Sequence, residues 1–78
     1  MTNAQYRKSC MADCSMAAAD CKGSADYASY GFANDNEEQG REYFKRLEEN
    51  VSRLRSAVYS LNYANKKIKE HGADSTES

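Results

Sequence analysis

An apolar repeat of seven residues runs without a break through the second half of the chain, and it constrains the fold more than any other feature. Successive members are three or four residues apart, which places them along one side of a single long helix. The members are Phe44, Leu47, Val51, Leu54, Val58, Leu61, Asn65 and Ile68. A second stripe of smaller side chains follows the same repeat in the first half, at Cys10, Cys14, Ala17, Cys21 and Ala28. Two such stripes predict an all-α protein in which two long helices pack together.

Local signals predict where the two helices begin and end. Thr2 and Gln5 have the spacing of a capping box, so the first helix is expected to start near Asn3. Gly31 is expected to stop that helix in a left-handed conformation, and Asn34 or Asp35 to cap the next one. The expected ranges are about 3–30 for the first helix, 31–35 for the turn and 36–71 for the second helix. Proline, which would kink helices of this length, is absent.

The order of the two stripes predicts an antiparallel helical hairpin. If the second helix folds back about the turn, contacting residues have numbers that sum to about 68. The pairs are then Cys21 with Leu47, Ala17 with Val51, Cys14 with Leu54, Cys10 with Val58, and Ala28 with Gly40. A large side chain meets a small one in most layers, as close packing requires. The hairpin, residues 1–72, is expected to form one domain, followed by a disordered tail at 73–78.

Gly23 and Ser24 leave a second arrangement open. Glycine inside a helix costs about 1 kcal/mol relative to alanine, and serine is a favoured N-cap residue. The first helix therefore either continues through Gly23 or ends there, and the second possibility gives three helices instead of two.

The apolar stripes are wider than one partner helix needs. Met11 and Phe32 lie beside the first stripe and Tyr43 beside the second, while Ile68 extends past the start of the first helix. A chain this short also has a marginal core of its own. We therefore expect a homodimer in the form of a four-helix bundle, with these four residues at the contact between the copies.

Composition indicates which classes of partner and which cellular compartment to expect. The formal net charge is −1, which argues against a nucleic-acid partner. No leader segment is recognisable, and no apolar run approaches the roughly 18 residues of a membrane span. The cysteines are odd in number and fall within one predicted helix, so disulfides are not expected. We expect a protein of the reducing cytoplasm that carries no cofactor.

The cysteines support two interpretations. Cys10, Cys14 and Cys21 lie within roughly 40° of one another on a helix. Thiolates on one face suit Cu(I) and Zn(II), so a thiol-based metal-binding bundle is one functional hypothesis. Alternatively, the cysteines are small apolar residues that fill an alanine-like seam without any metal. The layer matching described above favours this second interpretation.

Catalytic residues are not indicated by the sequence. The only histidine, His71, falls at a predicted helix end, where the helix dipole favours a cation. No glycine-rich loop that could cradle a phosphate is recognisable, and no nucleophile has an evident base. An enzyme is therefore not expected.

Tyr59 and Tyr63 are the strongest candidates for a binding site. At about 100° per residue they lie nearly opposite the predicted apolar stripe, with Ser56 and Lys66 beside them. Exposed tyrosine next to small polar residues is typical of protein-binding surfaces, although the tyrosines could also pack between copies of the chain. We expect a small interaction protein, namely an adaptor, chaperone or inhibitor that occludes or bridges a surface of a larger assembly. Proteins of this kind are common in phages and mobile elements.

Overall fold

The computed structural model describes residues 1–76, which form an all-α antiparallel hairpin. Helix α1 spans Asn3–Ala33 and helix α2 spans Glu37–His71, with 31 and 35 residues. The two helices pack along their length into a rod with extents of 54 × 16 × 13 Å. The predicted hairpin is confirmed. The three-helix alternative is wrong, because α1 continues through Gly23 and Ser24 without a break.

The predicted capping box at the start of α1 is confirmed. The backbone N–H of Gln5 donates to Thr2 Oγ1 at 3.2 Å, and the backbone N–H of Thr2 donates to Gln5 Oε1 at 2.8 Å. These two bonds satisfy donors that the first helical turn leaves without an intrahelical partner.

The turn between the helices begins three residues later and ends one residue later than predicted, because it spans residues 34–36. Gly31 stays inside α1, so the expected left-handed stop at this residue is wrong, and the positive φ of 56° occurs at Asp35 instead. The N-cap of α2 is Asn36, whose Oδ1 accepts from the backbone N–H of Gln39 at 3.2 Å. Asn34 helps to close α1, because its Nδ2 donates to the carbonyl of Tyr30 at 2.8 Å.

Two glycines set the closest approach of the helices, beside the turn. A Cβ added to Gly31 would lie 2.6 Å from the backbone nitrogen of Gly40, and a Cβ on Gly40 would lie 2.7 Å from the Phe32 ring. Sequence reasoning paired Gly40 with Ala28. The observed pairs, Gly31 with Gly40 and Tyr27 with Tyr43, have numbers that sum to 71 and 70. The predicted register is therefore wrong by almost one helical turn.

The seam between the helices uses only half of the predicted stripe of α2. Its leucines are half-buried, as is Ile68, but the four other members are exposed: Phe44 (51%), Val51 (41%), Val58 (42%) and Asn65. The residue immediately before each of these lies in the seam instead: Tyr43, Asn50 and Ala57 are half-buried and Ala64 is buried. On α1 the buried positions are small, with Cys10, Ala17 and Ala28 as the apolar ones. Small side chains let the two backbones approach closely.

Specific contacts explain why Tyr43 and Asn50 lie in the seam in place of Phe44 and Val51, the apolar residues that follow them. Tyr43 stacks on Tyr27 with ring centroids 5.1 Å apart. Asn50 Nδ2 donates to Ser24 Oγ at 2.8 Å. The hydrogen bond between Asn50 and Ser24 satisfies two polar groups that would be costly to bury unpaired, whereas the buried Asn3 Oδ1 has no hydrogen-bond partner among the described residues.

Polar contacts also tie the rims of the two helices together. Arg53 Nη1 donates to Asp20 Oδ2 at 2.6 Å. Arg7 Nε donates to Asn65 Oδ1 at 2.6 Å near the open end of the hairpin. Both pairs are exposed to solvent, so each contributes little to the free energy of unfolding. Their main effect is to favour this alignment of the two helices.

The segment after α2 turns back onto the start of α1. Gly72, with a φ of 89°, directs the chain towards Asn3, whose Nδ2 donates to the Gly72 carbonyl at 3.1 Å. The backbone contacts are Asn3 N to Ser75 O at 2.8 Å, Ala4 N to Ala73 O at 2.9 Å, and an antiparallel bridge between Thr2 and Thr76. Sequence reasoning expected disorder over 73–78; residues 73–76 carry these bonds, and residues 77 and 78 lie outside the described residues.

Candidate protein-binding surface

The two candidate tyrosines lie on the side of α2 that faces away from α1. Tyr59 is 77% exposed and Tyr63 is 43% exposed. At about 100° per residue, Tyr59 lies roughly 140° around the helix from the half-buried Leu54, which places it far from the seam. The packing of α2 against α1 therefore leaves most of Tyr59 and a large part of Tyr63 in water.

Lys66 joins the two tyrosines at one shallow hollow. The hollow has a volume of about 330 Å³ and is lined by Tyr59, Asn62, Tyr63 and Lys66. We call these four residues the tyrosine patch. Ser56 is exposed on the same helix but does not line the hollow.

Sequence reasoning missed two residues at this patch. Asn62 lines the hollow, and Lys67 places its Nζ 5.5 Å from the centroid of the Tyr63 ring. The spacing of four residues between Tyr63 and Lys67 is a signal that could have found the second contact, because residues four apart are neighbours on a helix. The patch therefore combines aromatic side chains with positive charge.

A second exposed surface runs along α2 at Phe44, Val51 and Val58, which we call the apolar stripe. Each member directly follows a seam residue and so lies about 100° further around the helix. A groove of about 340 Å³ follows part of the stripe and is lined by Phe44, Leu47, Glu48, Val51, Ser52 and Arg55.

Two side chains of α1 lie on the same side of the hairpin as the apolar stripe. Met11 follows the buried Cys10, and Phe32 follows the buried Gly31. The same rotation of about 100° brings exposed residues of two antiparallel helices to one side of the pair. Met11 is 44% and Phe32 48% exposed.

The opposite side of the hairpin combines charged groups with the stacked rings of Tyr27 and Tyr43. It carries the Asp20–Arg53 pair, and the guanidinium of Arg46 lies 4.9 Å from the centroid of the Tyr43 ring. Of the four residues expected at an oligomer contact, Met11 and Phe32 therefore share one surface, Tyr43 packs within its own chain, and Ile68 is half-buried. The four do not form one continuous patch.

The cysteines lie along the α1 side of the seam. All three are free thiols; Cys10 is buried, whereas Cys14 and Cys21 are half-buried. Across residues 1–76, no three histidine, cysteine, aspartate or glutamate side chains come together as a group that could hold a metal ion. Over the same residues, neither helix is both long and apolar enough to cross a membrane.

Comparison with protein families, with curated proteins and with solved structures finds no match to this chain.

Proposed function

We propose that this chain is a small non-enzymatic protein that acts by binding another protein, as an adaptor, chaperone or inhibitor on the surface of a larger assembly. The observation that carries the proposal is the amount of large apolar surface left in water. Among the described residues, eleven large hydrophobic side chains are exposed, and no large side chain is fully buried. Exposed apolar patches of this kind mark interaction sites, because the packing of the isolated hairpin leaves much of their surface in water.

The tyrosine patch is the surface that suits the protein partner. Its two aromatic rings supply large contact area with little conformational entropy to lose on binding, which is the property of interface anchors. Lys66 at the hollow and Lys67 beside Tyr63 add positive charge at the rim, only part of which is offset by Glu70, whose Oε1 lies 4.0 Å from Lys66 Nζ. This charge favours a partner with an acidic surface and speeds association with it.

We further propose that the functional unit is a homodimer built as a four-helix bundle. The buried apolar residues of the described chain are only Cys10, Ala17, Ala28 and Ala64, all of them small. A core of this size supplies little stabilisation to a chain of 78 residues, and association of two copies is a common remedy. We assign the protein to the cytoplasm, because its three cysteines are free thiols.

The role of the tyrosine patch is tested by the double substitution Tyr59→Ala with Tyr63→Ala. Affinity capture from cells of the native source, followed by quantitative mass spectrometry, compares the proteins retained by the parent chain and by the variant. We expect at least a tenfold loss of one specific partner, because two aromatic anchors are removed. The melting temperature and the mass in solution are expected to stay unchanged.

Tyr30→Ala is the matched control for this experiment. Tyr30 is 63% exposed but lies on α1, so its removal is expected to leave partner capture intact. Two results would contradict the proposed role of the patch. One is an equal loss of partner capture by Tyr30→Ala, and the other is full retention of the partner by the double variant. A double variant that unfolds or dissociates would show that the tyrosines pack between copies instead.

A further inference from the structure

We propose that a second copy of this chain packs on the apolar stripe, about a two-fold axis that passes beside Val51. This inference rests on the proposed homodimer and specifies its surface and its symmetry. Phe44 and Val58 are each seven residues, or about two helical turns, from Val51. A two-fold axis at Val51 therefore brings Phe44 of each copy opposite Val58 of the other, and places the two Val51 side chains together. The stripe is complementary to itself, as an isologous contact requires.

The charges beside the stripe obey the same symmetry. Glu48 precedes Val51 by three residues and Arg55 follows it by four, and both line the groove along the stripe. In the described part of the chain, neither side chain belongs to an intrachain salt bridge. The axis at Val51 brings Glu48 of one copy to Arg55 of the other, and the pair occurs twice. In the dimer, Glu48 and Arg55 thus each lie beside an opposite charge that the described part of a single chain does not provide.

The dimensions of the hairpin suit a stable contact of this kind. The rod is 54 Å long and 16 Å wide, so one long side covers roughly 800 Å² per copy, the area of a standard protein–protein interface. On α1, Met11 and Phe32 lie on the same side and extend the apolar contact beyond α2. Between them, small residues such as Ala18 and Ala25 let a second hairpin approach closely. The opposite side carries the Asp20–Arg53 pair and the stacked rings of Tyr27 and Tyr43, so its charges and aromatic groups already have partners within the chain.

Val51→Lys tests the position of the contact. In the dimer this substitution places two like charges at the axis, so we expect the dissociation constant to rise at least about 100-fold. Val51 is 41% exposed in the single hairpin, and lysine favours helix more than valine does, so the helix content is expected to persist. Tyr63→Lys is the matched control, since Tyr63 is 43% exposed but lies on another side of α2; it is expected to remain dimeric.

The measurement is sedimentation equilibrium with light scattering across micromolar concentrations. The parent chain is expected to show twice the chain mass of 8.7 kDa, and Val51→Lys to show the monomer mass. A monomeric parent chain would overturn the homodimer itself. A dimeric Val51→Lys variant would overturn only the proposed surface. Neither result depends on partner capture, so failure here is distinct from failure of the protein-binding role.

Charge exchange tests the symmetry, and it remains decisive if Val51→Lys fails to fold. Glu48→Arg alone and Arg55→Glu alone each place like charges opposite each other twice, and each is expected to weaken the dimer about tenfold at low salt. The combined variant Glu48→Arg with Arg55→Glu restores both pairs across the axis and is expected to return to within threefold of the parent. A combined variant that is weaker than either single variant would overturn the two-fold arrangement.

Discussion

Single glycines have opposite roles in this hairpin, and their surroundings explain why. Gly31 and Gly40 let the two backbones touch, because a Cβ at either position would fall closer than 3.0 Å to atoms of the other helix or of Phe32. In the described part of the chain, no atom outside the local helix backbone lies within 4 Å of where a Cβ on Gly23 would be, so no packing contact there requires glycine. The sequence alone does not show that Gly31 and Gly40 are needed for close packing of the helices whereas Gly23 is not.

Gly23→Ala is expected to raise the free energy of unfolding by about 1 kcal/mol, because alanine favours helix and no contact is disturbed. Gly31→Ala is expected to lower it by roughly 1–3 kcal/mol, because the methyl group would press on the Gly40 backbone. Urea denaturation of both variants at one fixed protein concentration checks these values. Destabilisation by Gly23→Ala would mean that Gly23 has a structural role that the hairpin itself does not reveal.

At the scale of the helices, the start of α1 combines side-chain and backbone capping. Thr2 and Gln5 form the capping box, while the carbonyls of Ser75 and Ala73 accept from the amides of Asn3 and Ala4. The end of the described chain thus satisfies donors that a helix N-terminus normally leaves to water. The segment after α2 acts as part of the cap of α1.

Removal of residues 73–78 is expected to expose the Asn3 and Ala4 amides to solvent and to increase their hydrogen exchange at least tenfold. The amides in the middle of α1, such as that of Ala17, are expected to exchange as before. Thr76→Ala is the matched control, because the bonds of this segment to Asn3 and Ala4 are made by backbone atoms and do not need the threonine side chain. Unchanged exchange after the deletion would contradict the capping role of this segment.

Prediction from the sequence succeeds for the helices and fails for half of the seam, and the reason is physical. The capping box of α1 and the inward-facing leucines of α2 follow from local chemistry and from periodicity, and the structure confirms both, whereas the expected N-cap of α2 at Asn34 or Asp35 is wrong because Asn36 holds that position. Val51 was predicted to face α1, but Asn50 occupies that side because its amide bonds to Ser24. Hydrophobicity ranks valine above asparagine and does not anticipate a specific hydrogen bond across the seam. The outward position of Tyr59 was predictable because it depends only on the helical period.

For the whole molecule, the main property is a large surface around a very small core. A rod 54 Å long and 13 Å thick has little interior, and its buried residues are alanines, glycines, one cysteine, one serine and one asparagine. The large apolar side chains are thereby left for contacts with other molecules. Stability and binding are coupled in such a protein, because association contributes burial that the single chain lacks.

This coupling predicts that the melting temperature depends on protein concentration. For the proposed homodimer, we expect the melting temperature to rise by several degrees between about 1 and 100 μM, because mass action favours the associated folded state. Circular dichroism at the two concentrations, with different path lengths, checks this. Val51→Lys is expected to abolish the dependence. A parent chain whose melting temperature is constant over this range would contradict an obligate dimer.

The bridge between Thr2 and Thr76 has a consequence for engineering. It brings the first and last parts of the described chain side by side, at the end of the rod opposite the turn. A hairpin with this geometry can be inserted as a domain into a surface loop of a host protein. The two ends of the loop can stay close together, because the inserted chain begins and ends at neighbouring points. The same proximity suits circular permutation, in which a short glycine–serine linker joins these two points and new ends open between Asn34 and Asp35.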